Sequence, residues 1–401
     1  MKKKILKVAL VAIFAFFAGL LIQLFFSCVG KGSSNRADVN VISIENNNLK
    51  SKVYLSEVSS SVKCIPLETN DDALINQISK VISKGNSLYI TDGMALYKFN
   101  ETGTLLKKIK NNGSGPDEYI NISDFQIGAD GSIWILSRSN KQLYKYSSEG
   151  LLLKKISLDY WVSNIYLINP LSMFLYVGNE IDGSNSCQLK ILNLENEKVS
   201  NEFLPIDSKK AKYLHVKSDN HFAHSCKDND LYFFQMFNDT IYRFSAGQLL
   251  PAYFIDINGN NIPESFFLAE YKNIMDFFQS LSKYSYAYGT SLFSDNKNSY
   301  LYSYYYKGEC YMAIISKKAQ QKTLLFKELI EDVCLSGYLV NLTELGMFLQ
   351  DNGDLIIPLN PSEIMEYANA HLEKPMREKV KQQLKYIDED QNPILLRVRM
   401  K

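Results

Sequence analysis

The window Leu96-Tyr97-Lys98-Phe99, with Gly103-Thr104-Leu105-Leu106-Lys107-Lys108-Ile109 behind it, comes back 47 residues later. The second copy reads Leu143-Tyr144-Lys145-Tyr146 and Gly150-Leu151-Leu152-Leu153-Lys154-Lys155-Ile156, identical at nine of fourteen positions. Each copy is built of short strand-type runs punctuated by a glycine turn. A unit of this size cannot bury its own apolar faces and stacks on copies of itself, as in a propeller or β-array. The fold class expected is all-β.

Turn signals divide the chain into units of similar length. The first places strands at Lys80–Ser83, Leu88–Thr91, Leu96–Asn100 and Leu105–Lys110, and the second at Phe125–Ile127, Ile133–Leu136, Leu143–Tyr146 and Leu152–Ser157. A third unit is marked by Phe174–Val177, Leu189–Leu194 and Val199–Leu204, and a fourth by Phe222-Ala223, Leu231–Phe234, Thr240–Phe244 and Tyr253–Ile257. Tyr300–Tyr304, Tyr311–Ile315 and Thr323–Phe326 mark a fifth. Met347–Gln350, Leu355–Pro358 and Ile394–Val398 leave a sixth one strand short, and the isolated strand Val62–Leu67 is expected to complete it. Such pairing closes a ring and hides two sheet edges. About 300 residues outside insertions, at a period near 47, also give about six blades. The expectation is a six-bladed β-propeller over residues 52–401 with two helical insertions. The first follows Asn261 and Pro263, with Phe266 to Leu281 forming one apolar face; the second follows Pro361 and restarts after Pro375.

The first 27 residues are expected to be a targeting segment. Lys2 to Lys4 lead into an apolar run, Val8–Phe26, broken by Gln23, and Ser27-Cys28 then opens a polar stretch. This is the form of a lipoprotein signal with Cys28 as the lipidated residue; an uncleaved signal anchor is the alternative, since about 19 apolar residues just span a bilayer. Either reading exports the remainder to the cell envelope, by preference the outer membrane, with residues 28–51 as a flexible linker. Formal charge is +1, and the four lysines of the leader supply +4, so the chain beyond it carries −3. That balance excludes nucleic acid as a partner. Five cysteines follow Cys28 at irregular spacing, with no C-x-x-C, and read as buried small residues; one bridge among them has no assignable pairing.

Further residues match a family. The lipoprotein-like leader, Ile65-Pro66-Leu67-Glu68-Thr69, the repeated Leu-Tyr-x-(Phe/Tyr) units and Gly113-Ser114-Gly115-Pro116-Asp117-Glu118-Tyr119 come in order. Asp239-Thr240-Ile241-Tyr242 and Asn392-Pro393-Ile394-Leu395 follow. The chain resembles the six-bladed β-propeller lipoproteins of Gram-negative bacteria, relatives of NHL-repeat propellers. The resemblance covers about residues 50–401 and implies a fold, with little about activity.

Four places carry candidate chemistry. Asp117 and Glu118 follow two glycines and a proline, either to face the ring mouth and bind a cation or sugar hydroxyls, or to sit in a plain turn whose Tyr119 packs on the next sheet. His215, His221, His224 and Cys226 offer soft ligands, yet 221 and 224 point to opposite faces of a strand, so no metal site is expected. Tyr300, Tyr302 and Tyr304 share one strand face and read as core, whereas Tyr305 and Tyr306 beside Lys307-Gly308 are candidates for stacking on sugar rings. Asp388-Glu389-Asp390 reads as a solvated turn. No nucleophile-elbow, zincin or phosphate-loop motif occurs and no cofactor is expected. The expectation is a non-catalytic binding module for a glycan, peptide or envelope protein. An enzyme acting on an exported polysaccharide and a structural subunit of an envelope complex are the alternatives.

Overall fold

The computed structural model describes residues 39–401 except 46–48, 182–184, 209–219, 226–229, 319–321, 341, 343–345 and 385–389. The leader and Cys28, together with His215, Cys226 and Asp388-Glu389, lie outside the described residues.

Three strands precede the first repeat: β1 (Asn40–Ser43), β2 (Leu49–Tyr54) and β3 (Ser59–Pro66), with one helical turn, α1 (Leu55–Val58), between the last two. Sheet I then holds β4 (Lys80–Lys84), β5 (Ser87–Thr91), β6 (Leu96–Asn100) and β7 (Leu105–Ile109). Sheet II holds β8 (Asp124–Ile127), β9 (Ile133–Ser137), β10 (Gln142–Tyr146) and β11 (Leu152–Ser157). Sheet III holds β12 (Asn164–Asn169), β13 (Ser172–Tyr176), β14 (Cys187–Asn193) and β15 (Val199–Pro205). Sheet IV holds β16 (Phe222–His224), β17 (Leu231–Phe233), β18 (Thr240–Ser245) and β19 (Gln248–Asp256). Sheet V holds β20 (Ala287–Asp295), β21 (Ser299–Tyr306), β22 (Glu309–Ser316) and β23 (Thr323–Glu331), with β24 (Tyr338–Val340) paired on β23. Sheet VI holds β25 (Phe348–Leu349), β26 (Leu355–Leu359) and β27 (Ile394–Met400), and takes β3 as its fourth strand.

Apolar clusters between neighbouring sheets hold the molecule together, because alternation gives a strand two faces and in inner strands such as β5, β9 and β13 both are covered. Phe125, Ile135 and Tyr144 of sheet II meet Tyr89 and Leu96 of sheet I. Similar clusters join II to III around Trp134 and Met173, III to IV around Phe174 and Phe233, and IV to V around Ile255 and Phe293. Phe326 and Leu396 join V to VI, and Phe348 and Leu395 of VI return to Val81 and Leu88 of I. The stack is an all-β propeller. Tyr302 and Tyr304 lie fully inside the IV–V cluster with Tyr300 at its margin, the core role expected of that stripe.

The closing pair is as expected. β3 runs antiparallel to β27, with Ile65 opposite Leu395 and Val62 opposite Val398. The reading of residues 28–51 as linker needs correction at its end. β1 pairs in parallel with β19 on the outer edge of sheet IV, Ile42 facing Ile255, and β2 pairs in parallel with β23 on the outer edge of sheet V. β2 (Leu-Lys-Ser-Lys-Val-Tyr) is solvent-exposed at every residue but Val53, which is why it reads as linker. The strands β1, β2 and β3 thus form a strap along three consecutive sheets.

The helical insertions are present with a different start. The first is split into α2 (Glu264–Phe267) and α3 (Ile274–Tyr284), and α3 is capped by Asn273, whose Oδ1 accepts from the Asp276 amide at 3.0 Å. Asn261 caps no helix; its side chain instead accepts from the Ile257 amide at 2.8 Å and donates to the Ile255 carbonyl at 2.7 Å. The second insertion is α4 (Pro361–His371) and α5 (Lys374–Gln383), which bury Ile364 and Val380 against the V–VI cluster.

Candidate functional site: a polar channel and its mouth

The first strands of sheets I, II and III, with the segments before β16 and after β25, wall a narrow cavity of about 60 Å³. Polar residues head these strands, and they meet because the first strands of adjacent sheets lie side by side along the cavity, Lys80 against Asp124 and Asp124 against Ile165. Asp124 is the hub. Its Oδ1 accepts from Lys80 Nζ at 2.5 Å and from the Phe125 amide at 2.8 Å, and its Oδ2 accepts from the Ile165 amide at 2.7 Å. Three sheets are tied through one carboxylate that is 1% exposed, and the charge is tolerated because it is paired and bonded on both oxygens. Gln350 does the same between sheets VI and I: its Oε1 accepts from the Ser83 amide at 2.6 Å and its Nε2 donates to the Val81 carbonyl at 3.2 Å.

His221 is the exception to this saturation. Its Nδ1 stands 3.0 Å from the Phe234 carbonyl, which only accepts, so Nδ1 carries the hydrogen and Nε2 is a bare acceptor. Nε2 is buried and has no hydrogen-bond partner among the described residues. Burial pushes the imidazole down to about 4; the bond to Phe234 opposes this and the Lys80 charge adds to it, so the ring is neutral at neutral pH. Its ring centroid lies 4.0 Å from that of Tyr176, the two planes tilted by 38°.

At one end the channel shares Lys84, Ile127, Tyr166 and Asp351 with an open cavity of about 500 Å³, the mouth. Tyr166 donates to Asp351 Oδ1 at 3.0 Å, and Lys84 lies 3.7 Å from the other oxygen of the same carboxylate. Burial raises the Tyr166 phenol well above its ordinary range, so it stays a donor. Asp130 accepts from the Ser132 hydroxyl at 2.6 Å and the Ser132 amide at 3.0 Å, which holds its carboxyl below the usual range. Trp134 carries Lys145 Nζ 5.4 Å from its ring centroid, and His224 completes this wall. The mouth therefore combines two aspartates, two lysines and aromatic faces.

The residues singled out from sequence lie elsewhere. Asp117 and Glu118 occupy the β7–β8 loop, whereas Tyr305 and Tyr306 end β21 in sheet V. Asp117 is exposed, 3.5 Å from Lys155 Nζ, while Glu118 folds back so that Oε2 accepts from the Gly115 amide at 2.8 Å. Tyr119 is fully buried and meets Tyr144 edge-on, as the turn reading anticipates. Tyr305 stacks on Tyr288 at 5.4 Å, and Tyr306 lies under Lys307 Nζ at 5.2 Å. His221 and His224 diverge into channel and mouth, and no cluster of three metal-ligating side chains exists among the described residues. Lys80, Asp124 and Asp351 were missed. The signal was present, since a polar residue heads the first strand of each early unit, but it says nothing until the units are arranged in a ring.

Comparison with known proteins agrees with this architecture. The Bacteroides fragilis NCTC 9343 protein BF0058, described as a candidate exported protein, is 18% identical over 90% of this chain and 100% of its own, with a TM-score of 0.67. A member of the DUF4221 family from Bacteroides vulgatus ATCC 8482 is 12% identical over 86% of this chain and 97% of its own, with a TM-score of 0.51. At such identities the likeness is one of fold. No curated protein matches the sequence significantly. The family DUF4934, a domain of unknown function, matches residues 39–399, and the chain belongs to that family.

Proposed function

We propose that this chain is an envelope protein, lipid-anchored at Cys28 on the outer membrane, whose six sheets form six blades of a non-catalytic binding propeller. Its ligand is a glycan or peptide seated in the mouth. The observation that carries the reading is the continuity of the 500 Å³ mouth with the polar channel through Lys84, Tyr166 and Asp351. A concave site with convergent polar groups and aromatic walls is the usual form of a small-ligand pocket. The leader sequence and the description of BF0058 support export.

A binding screen of glycans and peptides with the full chain tests this. Lys84→Ala and Lys145→Ala should each weaken a hit about tenfold, the loss of one polar contact, without lowering the melting temperature. Unchanged affinity in both would refute the mouth as the site. Asp117→Ala and Tyr306→Ala form the comparison arm, because those residues are the competing location for a ligand. Metabolic palmitate labelling that persists in a Cys28→Ala variant would refute the anchor. A structural-subunit reading draws on Met275 and Tyr284, 62% and 58% exposed on α3.

A further inference from the structure

We propose that the polar channel is a subsite for a neutral hydroxyl-bearing arm that donates to His221 Nε2, so that the ligand of the mouth is a glycan or related polyol. The proposal rests on the reading of the mouth as a binding site and names the class of ligand it takes. His221 is 3% exposed and lines the channel; its Nδ1 hydrogen is spent on the Phe234 carbonyl, and Nε2 has no partner among the described residues. Flipping the ring does not cure this, because whichever nitrogen meets that carbonyl must carry the hydrogen and leaves the other bare. Neighbouring rings also hold it in place, with the Tyr176 and Phe233 centroids 4.0 and 6.2 Å from its own. A buried acceptor without a partner is uncommon in folded proteins and calls for an occupant.

The chemistry of the channel narrows that occupant. It has to give a hydrogen, which excludes an ionised carboxylate. It has to be neutral, because Lys80 already brings a positive charge to the channel and both oxygens of Asp124 are engaged. It is also offered a hydrogen in return, since the bond to Asp124 uses one of the three that Lys80 Nζ carries. A hydroxyl satisfies all three conditions. The cavity of about 60 Å³ holds roughly four water-sized groups, and Gln126 and Asn164 add polar side chains to its wall. An arm bearing a hydroxyl on each carbon suits it along its length, whereas an asparagine or glutamine amide would arrive on an apolar stem. The way in runs past Tyr166, which belongs to both cavities. The rest of such a ligand stays in the mouth of about 500 Å³.

The test follows the four histidines of the full chain, isotope-labelled and in detergent, by long-range nitrogen–proton NMR. The His221 signals are those missing from a His221→Gln variant. In the wild type Nε2 should move upfield and saturate with glycerol. It should respond to methyl β-galactoside more than to the analogue lacking the hydroxymethyl oxygen, and acetamide should leave it unmoved. In binding measurements with the glycoside, His221→Phe keeps an aromatic ring without an acceptor and should lose about tenfold in affinity. His221→Gln still donates to Phe234 and accepts from a ligand, and should retain most of it. An Nε2 signal that no hydroxyl compound moves, or that acetamide moves equally, would overturn the proposal without recourse to any variant. So would a peptide that binds in the mouth while Nε2 stays still. Lys84→Ala and Lys145→Ala separate the two readings. Lost affinity in these with His221→Phe unaffected would refute the channel and keep the mouth. Lost affinity in His221→Phe alone would refute the mouth and leave the channel as the site.

Discussion

Gly103 and Gly150 occupy the same place in the two clearest repeats, and both adopt positive φ, +84° and +76°. Their surroundings differ. A Cβ on Gly103 would lie 2.0 Å from the Pro66 carbonyl oxygen, where the closing strand passes, whereas one on Gly150 would lie 3.1 Å from Ile109 Cγ1. Backbone cannot yield as a side chain can, so Gly103→Ala should cost about 3 kcal/mol or more. Gly150→Ala should cost roughly 1–2 kcal/mol. Urea unfolding of the two variants measures this, and equal costs would contradict the argument. His221 offers a pH test. Its folded-state pKa of about 4 lies below the unfolded value, so its contribution is complete above about pH 6.5 and is lost as pH falls towards 4. The loss amounts to about 3 kcal/mol at most. Unfolding of the wild type and of His221→Gln at pH 7 and 4.5 should show the smaller pH effect in the variant. At this scale the glycines were legible, because a repeated turn residue announces positive φ. The channel histidine was not, since its burial comes from sheets III and IV.

Strands of sheets I and II were legible almost to the residue, because their alternation and turns are regular; β6 is Leu96–Asn100 in both readings. The first strands of sheets III and V, Asn164–Asn169 and Ala287–Asp295, were not. β20 (Ala-Tyr-Gly-Thr-Ser-Leu-Phe-Ser-Asp) interrupts its apolar residues with a small and polar run at 289–291, and it gains its place by antiparallel pairing with β21, Ala287 opposite Tyr306 and Phe293 opposite Tyr302. The strap escaped notice for a related reason. An edge strand with one buried face residue obeys no period, and parallel pairing to β19 and β23 leaves no local trace. These elements predict unequal effects of truncation. Removing residues through Glu45 deletes β1 and the buried Ile42 and Ile44, worth about 1.5–3 kcal/mol each, and should leave a cooperative melt at lower temperature. Removing residues through Glu68 also strips β3 from β27 and opens the V–VI and VI–I clusters, so the cooperative transition should vanish. Circular dichroism melts decide this; similar transitions in both would show that β3 is dispensable.

At the scale of the molecule, fold class was legible and activity was not, since stacking of repeats is written in period and turn chemistry while the mouth is assembled from residues such as Lys84, Asp130, Tyr166 and Asp351, drawn from four sheets. The strap adds something about time. β1, β2 and β3 are synthesised before their partners, Tyr253–Asp256, Leu325–Ile330 and Ile394–Met400, which follow by as much as about 340 residues. Loop closure across such separations is slow, and an unpaired edge meanwhile is open to wrong partners. The polar character of β2, with Lys50, Ser51 and Lys52 exposed, keeps the waiting segment soluble. The strap is thus made ahead of everything that fastens it, β1 waiting for sheet IV, β2 for sheet V and β3 for sheet VI, like a row of buttons sewn before the buttonholes.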